Sequence, residues 1–457
     1  MQRRGPSLVV LGLTAVLTAG ASLGPAGAPS VVLASEGAVH TWTESDGEVS
    51  GAVVVVRPGT APDLLPGSRV LAPGPEATDA ERAAATAEAQ RQRDWLAAGS
   101  VPGEGGPHAD LGRDALLDLY TATHTPDGDV RAPFAAPTGA WRYVWPRDAA
   151  FAAVTLARTG HVADAVAVLG FFDDVEVTAE GFHARYRLDG TVPDDRGPQL
   201  DGAAWLLWAS AETAALAPPS DVPAVLEDLA GITLASAGVL LGATDSPGHL
   251  PDVSSDYWEL PETRLTLGTA APVLTGLDAL ATLQQLAGRD GEATATRERL
   301  ALVRDAVATA FGPTWPRHAG GRHQDAATAL ALPPFQDEAL PGAETAWRLS
   351  ARGMARPAGG LAPGEGWREP HYSWTPQTAL YALTSATLGE DAAARERLDW
   401  LAAHTTLMGS VPEKVGPDGA GAQVAPLVWS SALVLLTLDE LDRQPAGAGR
   451  QPIGSAS

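Results

Sequence analysis

Six loops rich in tryptophan, proline and charge return along this chain at nearly constant intervals. They are centred on Asp148, Asp201, Glu259, Trp315, Glu365 and Glu413, spaced by 53, 58, 56, 50 and 48 residues. Between them run segments of helical pattern: 110–124, 148–159, 162–173, 200–214, 221–242, 264–287, 291–311, 322–331, 340–352, 376–387, 390–404 and 425–442. With ~10–14 residues per helix and short loops, two helices and two turns fill one interval. Each interval is then one helical hairpin, which returns the chain to the side it left. Six returns place the six loops on one face of a ring. The period therefore predicts an all-α fold, an (α/α)6 barrel of about twelve helices.

The ends of the chain read differently. Arg3 and Arg4 precede a short apolar run from Leu8 to Leu17, and Ala26-Gly27-Ala28 resembles a cleavage site. Residues 1–28 are thus expected to be a secretory signal peptide, and the protein to be secreted. Residues 29–75 carry short β-type runs such as "GAVVVVRP", broken by Pro and Gly, and predict a small N-terminal β appendage. The barrel is expected over 76–443, beginning with the helical stretch "DAERAAATAEAQRQRDWLAA". The Pro/Gly-rich residues 444–457 are expected to be a disordered tail.

A formal net charge of −24 argues against nucleic acid and anionic membranes as partners. No later segment is long and apolar enough to span a bilayer. The chain has no cysteine, which rules out disulfides and thiolate metal sites. Metalloprotease, P-loop and serine-elbow motifs are absent, and the ten histidines show no metal-ligand spacing, so neither metal nor cofactor is expected. Among the basic residues only Lys414 is a lysine.

The stretch "WRYVWPRDAA" places Arg147 and Asp148 beside Trp145 at the start of a helical run. Asp148 is a good helix cap, and that alone would explain it. Yet indole faces together with an adjacent cation and carboxylate are also what a sugar ring requires. Indole covers the apolar C–H face, while Arg and Asp grip neighbouring hydroxyls. Tryptophan, at 13, outnumbers both Phe (7) and Tyr (6). Trp205 and Trp208 lie inside a helix and read as core. Trp145, Trp258, Trp315, Trp367 and Trp374 lie in or beside the recurring loops and are candidate platforms. In "SSDYWELPE", Glu259 follows two aromatic residues, and in "GSVPEKVG", Glu413 sits in a loop before the last helix. Either could be an ordinary solvated loop glutamate.

Five motifs in order, "WRYVWPRDAA", "GPQLDGAAWLLWA", "SSDYWE" with "RLTLGTAAP", "PGEGWREPHYSWTPQTAL" and "GSVPEKVG" with "LVWSSALVLL", resemble glycoside hydrolase family fifteen. This is the glucoamylase-like family, and the resemblance, over about residues 76–443, is to its bacterial exported members. It implies an (α/α)6 barrel acting on α-glucans or α-glucosides, releasing glucose from non-reducing ends with inversion. By the same resemblance Glu259 is the general acid and Glu413 the general base. Arg147, Asp148 and Trp258 bind the terminal glucose, with Trp145, Asp201, Glu365 and Trp367 as further substrate-binding candidates. A monomer is expected. The chain departs from the fungal pattern at Leu260, where a second Glu follows the acid, although Glu262 is near. It also has Leu361 at the rough position of a later Arg. Alternatives on the same scaffold are a trehalase, an α-1,6-glucohydrolase and a non-catalytic carbohydrate-binding relative. A lyase would want a Tyr/His/Arg set instead.

Overall fold

The computed structural model describes residues 31–443, so the expected signal peptide and the expected disordered tail lie outside the described residues. The chain opens with a hairpin, β1 (Gly37–Ser45) and β2 (Glu48–Val56), paired from Gly37↔Val56 to Ser45↔Glu48. Its two-residue turn is Asp46-Gly47, both at positive φ, the backbone that an Asp-Gly turn between twisted strands needs. Helix α1 (Asp79–Ala98) follows, started by a capping box between Thr78 and Glu81.

Six helical hairpins then run outer to inner. They are α2 (Ala109–Thr123) with α3 (Pro146–Arg158), and α4 (Val162–Gly170) with α5 (Leu200–Leu216). Next, α6 (Val222–Asp228) and α7 (Ala230–Ala243) lead to α8 (Leu267–Leu286), and α9 (Asp290–Phe311) leads to a 3-10 turn at Ala326–Ala331. Last come α10 (Ala343–Met354) with α11 (Thr375–Thr387), and α12 (Asp391–Ala402) with α13 (Val428–Arg443). The inner members touch in sequence, and α13 packs back on α3 to close the ring.

The two layers follow from the sequence. Helices α3, α5, α8, α11 and α13 are buried around most of their circumference, and runs such as "AAFAAVTLA" and "GAAWLLWASA" carry no charge. Outer α9 instead buries one stripe, Ala293, Thr296, Leu300, Val303, Val307 and Phe311, and turns its charged residues outward. Phe151, Trp205, Trp208 and Phe335 pack together inside the ring, so Trp205 and Trp208 are core.

Two expectations need correction. The helix expected over 322–331 is only a six-residue 3-10 turn, started by Asp325, whose side chain accepts from the Ala327 N–H. Pro333 and Pro334 follow at once, and neither can donate the N–H that a longer helix needs. The helix expected over 221–242 is two helices that meet at Leu229. The N-terminal segment holds the β1–β2 hairpin and is tied to the helices by buried polar contacts. Buried His40 hydrogen-bonds Glu88 on α1 at 2.8 Å, and buried Arg69 pairs with Asp118 on α2 at 2.7 Å. Ahead of β1, Ala34 N–H donates to Gln423 O and Ser35 Oγ to Ala425 O, next to the segment that carries Glu413.

Candidate active site

The starts of α3, α11 and α13, together with loops that precede inner helices, line a cavity of about 240 Å³. Pro146 opens α3 and Pro376 lies in the first turn of α11, where a missing N–H costs nothing. Trp141, Trp145, Trp258, Trp367, Trp374 and Trp429 all face this space, with Arg147, Asp148, Arg185, Arg196, Glu259 and Glu413 among them. The indoles of Trp258, Trp367 and Trp374 meet edge to face, with centroids 4.7 and 5.2 Å apart.

Glu259 sits at φ +52°, a backbone that a non-glycine residue adopts only when its surroundings impose it. Those surroundings are visible. Its N–H donates to Asp256 O at 2.8 Å, and the Asp256 carboxylate accepts from the Trp258 N–H at 2.9 Å. Asp256 is in turn gripped by Arg317, which also pairs with Glu262 and Asp325 and lies 3.7 Å under the Trp258 ring. Toward the cavity, Trp145 Nε1 and Arg196 donate to the two oxygens of Glu259, and Arg147 stands 3.9 Å away.

Glu413 has the opposite setting. It is buried, its Oε1 accepts a long 3.4 Å bond from Trp141 Nε1, and its Oε2 has no hydrogen-bond partner among the described residues. Burial pushes its carboxyl up to about 7, against the pull of Lys414 and of the Trp141 bond. Its place is set by backbone: Glu413 N–H donates to Val424 O and Glu413 O accepts from Thr375 N–H. Asp148, in the first turn of α3, is buried too and likewise pushed up to about 7, with Arg147 opposing the shift.

Of the expected site residues, Arg147, Asp148, Trp145, Trp258, Trp367, Glu259 and Glu413 come together in the cavity. Asp201 stands behind the wall, holding Arg147 Nη1 at 2.8 Å, so it orients a wall residue and does not face a ligand itself. Glu365 is exposed and outside the cavity; its carboxylate accepts from the Gln324 N–H and ties two loops together. Trp315 is no platform either. It is fully buried and donates from Nε1 to Pro341 O at 3.0 Å. Leu361 is buried and paired with Trp374 through backbone, while Glu262 is occupied by Arg317 and His318. Sequence reasoning passed over Trp141, Arg185 and Arg196. Trp141 opens the motif that drew attention to Arg147, and both arginines lie in the long, charge-rich stretch between α4 and α5.

No family model and no curated protein matches this chain. Solved structures do. A glycosidase variant in complex with glucose is similar at 22% identity and a TM-score of 0.61, over 74% of this chain and 97% of that one. The glucoamylase from Saccharomycopsis fibuligera gives 14% identity and a TM-score of 0.58, covering 73% and 94%. A bacterial glucoamylase complexed with acarbose gives 15% and 0.61, over 80% of this chain and 62% of that one. The fold is the (α/α)6 barrel of the glucoamylases. In that barrel the six recurring loops of the sequence all precede inner elements, which is why an interval count alone anticipates it.

Proposed function

We propose that the protein is a secreted glycoside hydrolase of glucoamylase type, which releases β-glucose from the non-reducing ends of α-glucans. The observation that carries this reading is the pair Glu259 and Glu413 on one indole-lined cavity, with Arg147 and Asp148 among its lining residues. A terminal glucose stacks its C–H face on indole and takes hydrogen bonds from Arg147 and to Asp148. Glu413 Oε2, which has no hydrogen-bond partner among the described residues, accepts a proton from water as the water oxygen bonds to C1. The bond from C1 to the leaving oxygen breaks, and Glu259 delivers a proton to that oxygen. Inversion of this kind places the two carboxyls about 6.5–9.5 Å apart, leaving room for the water.

One observation favours a second reading, in which the two roles are exchanged. The Glu259 carboxylate meets Trp145, Arg196 and Arg147, all donors, whereas burial pushes the Glu413 carboxyl up to about 7. Substrate entry displaces Arg196 in the first reading and leaves it in place in the second.

Parallel assays on maltose, isomaltose, trehalose and soluble starch test the proposal. Glucose is expected from maltose and starch. Trehalose cleavage alone would make the protein a trehalase on this scaffold, and binding without cleavage of any of them would make it a carbohydrate-binding protein.

A further inference from the structure

The chain carries 31 Lys and Arg residues, and Lys414 is the one lysine. A sequence that uses arginine at every other basic position sets its single ammonium directly after Glu413. The Lys414 side chain is buried, and Nζ donates to Glu369 Oε2 at 2.9 Å. It lies 4.1 Å from the centroid of Trp374, its partner across a short antiparallel ladder. Glu369 Oε2 also accepts from Trp367 Nε1 at 3.3 Å, and Trp367 packs its edge on Trp374. One amine thus joins the indole wall of the cavity to the residue beside Glu413.

Arginine does not replace lysine in such a place. A guanidinium is a wide planar fork suited to two parallel bonds, whereas an ammonium is a compact point charge with three donors. Between one carboxylate oxygen and an indole face, on a side chain fixed by its strand, the compact charge fits. The groups that face Glu413 make that charge matter. Trp141 Nε1 donates to it from the turn before α3, and the charges of Glu259, in the loop before α8, and Glu369, in the loop before α11, act on it without touching it. The charged residues among these are both acidic.

We infer that Lys414 is a positioning residue for Glu413: locked by Glu369 and Trp374, it supplies the positive charge that favours the Glu413 anion, and Glu369 sets how much of that charge Glu413 feels. The inference rests on the reading that Glu413 is a reacting carboxylate. Burial drives the Glu413 carboxyl up while Lys414 opposes it and Glu369 adds to it, in keeping with that arrangement.

Two measurements test it. With 13C-labelled lysine the protein has a single lysine side-chain signal, which should follow a titration centred near neutral pH that disappears in Glu413→Gln. The second is the pH profile of kcat on maltose. Lys414→Met should move the limb that Glu413 controls, the acidic one if Glu413 is the base, upward by about one pH unit. Glu369→Gln should move it downward, and the double variant should return toward wild type. A structural role alone would lower activity at every pH and leave the limb in place. Limbs that stay, or that move in one direction in both variants, overturn the inference, as does a lysine signal blind to Glu413. If Lys414→Met does not fold, Glu369→Gln and the lysine signal still decide. Full activity of Glu413→Gln would sink the functional reading, and the lysine titration would then judge the coupling by itself.

Discussion

Glu259 and Glu413 face one cavity from surroundings of opposite kind. Glu259 is half-exposed, held in a left-handed backbone by the Arg317 network, and met by Trp145, Arg196 and Arg147. Glu413 is buried, with one long bond from Trp141 and one oxygen without a hydrogen-bond partner among the described residues. The same residue type thereby occupies two electrostatic settings, one lined by arginines and one buried beside a single lysine. Burial without partners is costly for an anion, and it is that cost which brings the Glu413 carboxyl to about 7, within reach of a proton exchange near neutral pH.

The contrast is broken most forcefully by removing each charge in turn. Glu413→Gln deprives every substrate of water activation and should lower kcat by ~10²–10⁴-fold on maltose and glucosyl fluoride alike. Glu259→Gln should cost as much on maltose and far less on glucosyl fluoride, because fluoride leaves with little need of a proton. The ratio of the two losses in each variant is the readout. A fluoride activity spared by Glu413→Gln and lost in Glu259→Gln would exchange the roles.

A smaller effect is expected at Asp148, which is buried in the first turn of α3. Asp148→Asn keeps the shape and removes the charge. Its kcat/KM should fall by at least ~10²-fold, about 2.7 kcal/mol of transition-state binding, with a near-normal melting temperature. Activity within a few-fold of wild type, accompanied by lower melting, would make Asp148 a structural residue.

The smallest effect is on stability. A carboxyl raised from 4.5 to about 7 by folding binds its proton more tightly in the folded state. Its contribution is therefore most favourable below about pH 4.5 and is lost as pH rises toward 7. Glu413→Gln removes the group that must ionise while buried. The variant should melt close to wild type near pH 4 and above it near pH 8, by on the order of 2–3 kcal/mol. A stability difference that does not change with pH would mean that Glu413 is not held short of partners in solution.

Much of this was legible beforehand, and the reasons differ by residue. The barrel was readable because hairpin length is a backbone quantity, and an interval near fifty residues survives any change of side chains. Glu259, Arg147 and Asp148 stood out because they sit in short motifs among aromatic residues, whereas Glu413, in a motif without any, stood out only through the family resemblance. Asp201 and Glu365 occupy equivalent loops, but a loop's register does not reveal which way its carboxylate turns: Asp201 backs Arg147 and Glu365 binds the Gln324 backbone. Trp315 follows the same rule, since an indole beside a loop serves equally as core. Arg196 and Arg317 were missed because each acts across more than fifty residues of sequence, on Glu259 and on Asp256.

The central claim is that two carboxyls act from opposite sides of one glucosidic bond, and the configuration of fresh product reads this directly. Proton NMR during the first minutes of maltose hydrolysis should show the β-anomer of glucose ahead of mutarotation. Initial α-glucose would contradict the account, since retention cannot arise from water delivered opposite the leaving oxygen.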